Sequence, residues 1–364
     1  MEQDTFKPSG PLRTGWTTGA CATAAAKACV IALFQGKFEK SVTIQLPNGE
    51  TPTFPLSRQT LENHEACAGI IKDAGDDPDV THGAEIIVSV KVGRPGAGIT
   101  FHAGDGVGTV TLPGLPISVG QPAINPAPRK MICDAIQKVA EAKDSAMDFE
   151  VTISIPGGKD LAEKTMNGRL GIVGGLSVLG TTGIVRPYSC SAWIHSIHRG
   201  IDVARATGLT HLAASTGNTS EESIKKLYQF DPAALIDMGD FAGGVLKYLR
   251  HHPVKKLTLA GGFGKLTKLA QGHMDLHSAR SKLDFEKLAL YLHELGARGE
   301  ILQLAKDSIT AMAVLDLAHT ENLELANLVA AKAKQEALKM LDGAVKVEVC
   351  IFDRGGQLVG RAND

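Results

Sequence analysis

Apolar and polar positions follow different periods in the two halves of the chain. In the first half, residues 20–34 are an almost unbroken run of small apolar side chains entered through Thr18, the pattern of a buried helix with a hydroxyl at its N-cap. Residues 40–46 alternate as a strand into the turn Pro47-Asn48-Gly49, and 51–56 return as its partner. Further strands are predicted over 85–92, 108–112 and 147–155, the last stopped by Pro156-Gly157-Gly158, and a helical period covers 129–143. Elements in this order predict an α+β layer.

From about Leu170 the pattern becomes strand, glycine-rich turn, helix. Strands are predicted over 170–174, 211–215, 256–260 and 345–352, and helices over 192–207, 221–228 and 239–250. Longer helices are predicted over 285–295, 300–318 and 323–341. Such alternation predicts a parallel sheet with helices on its faces. The expected fold class is α/β: an α+β domain over 1–165 and a Rossmann-like parallel-sheet α/β domain over 166–364.

Composition narrows the picture modestly. A chain of 364 residues suits two domains of about 150 residues each. Its 40 glycines fall in short motifs, which points to tight turns and close backbone approach. A net charge of −1 argues against an electrostatic grip on nucleic acid. The six cysteines are scattered with no CxxC pair, so neither a disulfide framework nor a thiolate metal site is expected. The apolar segment 17–34 is interrupted by Lys27, too short to span a bilayer and not preceded by a basic stretch. A cytoplasmic protein without membrane association is the expectation.

Four segments carry candidate chemistry. The run 170–185 (LGIVGGLSVLGTTGIV) reads as a strand entering clustered glycines and hydroxyls, the kind of loop that binds ligands at the carboxyl end of an open α/β sheet. Its spacing is not that of a dinucleotide fingerprint, and a structural bend in a packed sheet is the alternative. The segment 72–83 (KDAGDDPDVTHG) gathers four carboxylates and an imidazole, suited to a divalent cation, to a hydroxylated ligand or to proton abstraction, or else a solvated acidic turn. Turns at 104–114 and 122–130 bracket Asn125, Arg129 and Lys130, and the Arg-Lys pair is of the type that meets carboxylates, the alternative being a surface connection with helix-entry prolines. His273 and His277 have the i, i+4 spacing of helical metal ligands, but no third ligand accompanies them and a polar helix entry is preferred. Helical His195 and His198 are read the same way.

Taken together, these segments resemble a known family. The stretches 12–22 (LRTGWTTGACA), 72–83, 122–129 (PAINPAPR), 165–185 and 264–270 (GKLTKLA) are similar, in the same order, to signatures of CbiD, the cobalt-precorrin-5B C1-methyltransferases of cobalamin biosynthesis. Trp16 stands where Tyr is expected, Gly168 where Pro is common and Leu276 where Thr often precedes His-Ser. The resemblance implies S-adenosylmethionine as methyl donor, a cobalt tetrapyrrole as substrate and cobalt-precorrin-6A as product. It implies a fold other than the usual class I methyltransferase sheet, with the active site in the cleft between domains. No protein-bound metal is required, because cobalt belongs to the substrate. A homo-oligomer and transient contact with other corrin-pathway enzymes are compatible with it.

Roles follow as expectations. Asp73, Asp76, Asp77, Asp79 and His82 are the candidate proton acceptors. Gly174, Gly175, Ser177, Gly180, Thr181 and Thr182 are expected to cradle the donor. Arg13, Thr17, Thr18, Asn125, Arg129, Lys130 and Lys265 are expected to hold the macrocycle, largely through its carboxylates. Two other classes stay open from the residues alone: a metal-dependent hydrolase on the acidic loop, and a non-catalytic tetrapyrrole carrier.

Overall fold

The small apolar run after Thr17 folds into a helix, α1 (Thr18–Gln35), because nearly every side of it meets protein. Ala20, Cys21, Ala24, Ala25, Cys29 and Val30 are fully buried, so alanine serves here as the side chain that lets neighbours come close. By length and composition α1 would suit a membrane, yet it is the core helix of its own unit. The computed structural model describes residues 10–143, 147–343 and 345–363. Its chain divides between Ser189 and Cys190 into two compact units.

In the first unit, β1 (Gly15–Trp16) leads into α1, and a short hairpin follows, β2 (Ser41–Thr43) with β3 (Thr53–Pro55). The main sheet contains β4 (Arg58–Glu62), β5 (Glu65–Ile71), β6 (Glu85–Val92), β7 (Ile99–Ala103) and, after β8 (Thr109–Val110) and α2 (Pro126–Glu141), β9 (Phe149–Ser154). Its order is β4-β5-β6-β9-β7, antiparallel except where β7 meets β9. Helices α1 and α2 pack together, and α1 lies on β5 and β6. The β4–β5 hairpin was not expected from sequence. Its turn is Asn63-His64, both left-handed (φ 49 and 63), where a histidine replaces the usual glycine.

The remaining elements of this unit are α3 (Gly158–Ala162), β10 (Ile172–Val173) and β11 (Ile184–Val185). Each strand is two residues long and antiparallel, β10 to β8 and β11 to β1. This corrects two expectations. The glycine-rich run is not the first strand of the parallel sheet, and it belongs with the first unit rather than with a domain starting at residue 166. Its ladder partners Gly15, Trp16, Thr109 and Val110 hold it there.

The second unit contains α4 (Cys190–Ala206), β12 (His211–Ser215), α5 (Asn218–Tyr228), β13 (Leu235–Asp237), α6 (Ala242–His251), β14 (Lys256–Gly262) and α7 (Phe263–Ala270). It continues through α8 (Phe285–Glu294), α9 (Glu300–Lys306), α10 (Ala311–Thr320), α11 (Leu325–Leu341), β15 (Lys346–Phe352) and β16 (Leu358–Ala362). The sheet order is β13-β12-β14-β15-β16, with only the edge strand β16 antiparallel. Alternation along the strands sorts the layers: Leu212, Leu257, Leu259, Val347 and Val349 enter the large core beneath α6, α7 and α11. Ala213, Ala260 and Cys350 face the smaller core with Ile224 of α5. The single helix expected over 300–318 is two, broken before Ala311, where the Thr310 hydroxyl accepts a hydrogen bond from Ala313 N–H at 3.2 Å.

Candidate functional site

Thr17 and Thr18 open α1 under the glycine-rich run, and their bonds show what that run does. Thr17 Oγ1 caps the helix by accepting from Ala20 N–H at 3.1 Å, and its own N–H donates to Gly183 O at 3.0 Å. Thr18 Oγ1 accepts from Leu179 N–H at 2.9 Å, while Gly19 N–H donates to Leu179 O at 2.9 Å. Both threonines are buried with their hydroxyls engaged, so in this structure they bind the chain to itself.

The glycines divide in the same way. A Cβ on Gly175 would stand 2.2 Å from Gly106 O, and one on Gly180 2.3 Å from Thr17 Oγ1. Packing alone requires glycine at both positions, by backbone at Gly175 and by the Thr17 side chain at Gly180. Gly174, at φ +89, faces open space, and Thr181 and Thr182 are exposed. Ser177 is half-buried, its hydroxyl 3.4 Å from Asn167 Oδ1.

The acidic segment is a shaped loop whose carboxylates are individually tied. Arg13 binds both oxygens of Asp73, which also accepts from Gly75 N–H at 2.9 Å, and Arg13 N–H donates to Asp76 Oδ2 at 2.6 Å. The Arg13 guanidinium, followed by the Gly75 amide, brings the Asp73 carboxyl down to about 2. Asp79 pairs with Lys72 Nζ at 2.6 Å and accepts from Thr81 N–H and Oγ1 at 2.8 and 2.6 Å. Burial pushes Asp79 up, but Lys72 and the Thr81 bonds outweigh it and hold the carboxyl below its ordinary value. Lys72 itself is 1% exposed. Asp77 Oδ1 accepts from Tyr188 N–H at 2.8 Å. His82 Nδ1 accepts from Ala74 N–H at 3.1 Å, which leaves the Nε2 side of the half-exposed ring outward.

The expected anchors have unequal freedom. Arg129 donates to Ile124 O at 2.8 Å and Pro122 O at 3.2 Å and lies over Phe101, so it shapes the loop ahead of α2. Burial lowers its pKa. Lys130 is exposed and pairs only along its own helix, with Asp134 at 2.8 Å. Asn125 precedes α2 as its N-cap without a side-chain capping bond.

In the second unit, the carboxyl ends of β12 and β14 lie side by side where the strand order reverses, the position at which open α/β sheets bind ligands. The turn 261–265 (GGFGK) leaves β14 there and starts α7, whose N-cap Gly262 makes no side-chain bond. Lys265 Nζ donates to Thr216 O at 2.9 Å and stands 3.1 Å from Asp240 Oδ1. A cavity of about 480 Å³ opens beside it, lined by Asp240, Lys265, Lys268, His277, Ser278 and Thr310. Two buried oxygens of this end of the sheet, Ser215 Oγ and Asp240 Oδ1, accept or donate no hydrogen bond. No role was expected of Asp240 or Lys268 from sequence: Asp240 belongs to no recognisable spacing, Lys268 lies in the 264–270 stretch without a role of its own, and only the fold joins them. Residues 273–277 do not form a helix, so His273 and His277 do not share a helical face, and His277 Nδ1 accepts from Ala279 N–H at 3.1 Å. Among the described residues there is no group of three or more His, Cys, Asp or Glu placed to hold a metal.

Comparison with known proteins adds a family. The model described as CbiD matches residues 5–187, and that described as CbiD, C-terminal domain, matches 275–363. The cobalt-precorrin-5B C(1)-methyltransferase of Brucella anthropi is 54% identical over 351 residues, covering 96% of this chain and 95% of that protein. The protein of the same name from Paramagnetospirillum magneticum is 53% identical, covering 97% and 98%. Among solved structures, the cobalamin biosynthesis protein (cbiD) from Archaeoglobus fulgidus is 27% identical and covers 75% of this chain and 84% of its own, with a TM-score of 0.41.

Proposed function

The chain belongs to the CbiD family, and from that premise we propose that it transfers a methyl group from S-adenosylmethionine to C1 of cobalt-precorrin-5B in cobalamin biosynthesis. The observation that carries the reading is identity above half over nearly the whole length of relatives named for this activity. S-Adenosylmethionine supplies an electrophilic methyl on sulfur. The bond from methyl to sulfur breaks with its electron pair staying on sulfur, a carbon–carbon bond forms at C1, and a proton leaves the macrocycle. Positioning of this kind is worth on the order of 7–11 kcal/mol when the reacting groups are held in line.

The acidic loop of the first unit suits the proton. A carboxylate held below its ordinary range is a weaker base, and Asp73 and Asp79 are both so held, by Arg13 and by Lys72 with Thr81. Asp76 and Asp77 each accept one backbone N–H and are the acceptors we favour, with His82 on the same loop. Arg13, Lys130 and Asn125 suit the macrocycle's acetate and propionate groups, and exposed Gly174, Thr181 and Thr182 suit its rim. The protein is expected to act in the cytoplasm.

The test is direct: incubate the full chain with isotopically labelled methyl donor and cobalt-precorrin-5B, and follow the label by mass spectrometry. Label at ring carbon 1 supports the reading, and its absence there rejects it. Asp76→Asn or Asp77→Asn is then expected to lower kcat while leaving donor affinity in place.

A further inference from the structure

The cavity beside α7 is unusual in the balance of what it presents. Lys268 is 8% exposed, and its ammonium donates to Leu276 O at 2.8 Å; it has no carboxylate within ion-pair distance among the described residues. Burial lowers its pKa. Around it stand Lys265, the His277 ring and the first turns of two helices, α7 through Gly264 and α10 through Ala311 and Met312. Against these donors the cavity offers one carboxylate. Asp240 Oδ1 accepts no hydrogen bond and is met by Lys265 Nζ as an ion pair at 3.1 Å, while that ammonium donates to Thr216 O. A carboxylate oxygen with hydrogen-bonding capacity to spare at one side and an ammonium with spare donors at the other match a ligand that carries both charges.

We propose that this cavity receives the α-amino-acid end of the methyl donor, its carboxylate on Lys268 and the helix starts and its ammonium on Asp240. The inference rests on S-adenosylmethionine being the donor, as argued above, and assigns a place to it. A lone carboxylate of the macrocycle, or a phosphate, would answer Lys268 but leave Asp240 Oδ1 without a hydrogen bond. A zwitterion answers both sides at once. The volume falls within the range of about 300–1,000 Å³ common to small-molecule sites. The position, past the carboxyl end of β14, is where this class of sheet holds ligands.

Calorimetric titration of the full-length protein tests it with two probes, S-adenosylmethionine and 5′-methylthioadenosine, which lacks the amino-acid end. Lys268→Met and Asp240→Asn are each expected to weaken S-adenosylmethionine about tenfold or more, as the loss of a charge-assisted hydrogen bond would. Neither is expected to change 5′-methylthioadenosine binding. Wild-type affinity for S-adenosylmethionine in both variants overturns the proposal and leaves methyl transfer standing, as does equal weakening of both probes. A wild-type protein that binds no S-adenosylmethionine rejects the donor reading itself. Should Lys268→Met fail to fold, the near-isosteric Asp240→Asn decides alone.

Discussion

A Cβ placed on Gly175 or Gly180 of the first unit would strike backbone or a buried threonine within 2.3 Å, whereas one on Gly264 of the second would meet only Ala311 Cβ at 3.7 Å. The surroundings follow suit. In the first unit the hydroxyls of Thr17 and Thr18 are bonded, and each aspartate of the loop has a partner. In the second, Asp240 Oδ1 has an ion pair with Lys265 but no hydrogen bond, and Lys268 has one carbonyl for three donors. The glycines are therefore of two kinds. Gly175 and Gly180, like Gly261 of the second unit, are closed by the protein and exist so that chain segments can touch. Gly174 of the first unit and Gly264 at the strand end of the second stand open.

The largest effect expected is at the closed region. Asp79→Asn leaves Lys72, 1% exposed, as an uncompensated buried charge, a loss of about 3–5 kcal/mol by analogy with other broken buried pairs. Denaturant unfolding at neutral pH measures it. The acid limb gives the sign: the Asp79 carboxyl is lowered in the folded protein from 3.8, so its contribution is full above that value and is lost as pH falls through the folded pKa. The variant is expected to show a shallower loss below about pH 4. Wild-type stability in Asp79→Asn would remove the claim that this carboxylate is architectural.

Gly175→Ala comes next. Its Cβ would need Gly106 to move, since the contact atoms are backbone and cannot rotate away. Overpacking of this kind costs roughly 1–3 kcal/mol, and a position limited by backbone belongs at the upper end. A melting temperature unchanged from wild type would return this glycine to the ligand-binding class.

What the chain's pattern revealed divides along the same line. The parallel strands β12, β14 and β15 were legible because each is a short aliphatic run between turn residues, and local pattern suffices for that. The β4–β5 hairpin was not, since His64 takes a left-handed turn position by context. Nor were β13 and β16, which pair at the edges of the sheet. For the site, the acidic loop could be found but not its partners: Arg13 and Tyr188 are distant in sequence from Asp73 and Asp77. The glycine-rich run misled for the same reason. A glycine that admits a ligand and one that admits Gly106 or Thr17 look identical until the other chain segment is in place. Lys268 was quoted within a family motif, yet its burial and its single carbonyl partner are properties of the fold.

The smallest expected effect on stability is also the sharpest contrast. Gly264 is the second residue of α7, its φ is ordinary, and the space beside it accepts a methyl at normal contact distance from Ala311. Alanine is the better helix former by up to about 1 kcal/mol, so Gly264→Ala is expected to leave the melting temperature unchanged or slightly raised. Yet Gly264 lines the cavity that also holds Lys268 and Asp240, and a methyl there occupies ligand space. Titration is therefore expected to show weaker S-adenosylmethionine binding in a protein at least as stable as wild type, the reverse of Gly175→Ala, which loses stability first. If Gly264→Ala instead melts early and binds normally, Gly264 is closed like Gly175, and the distinction between them fails.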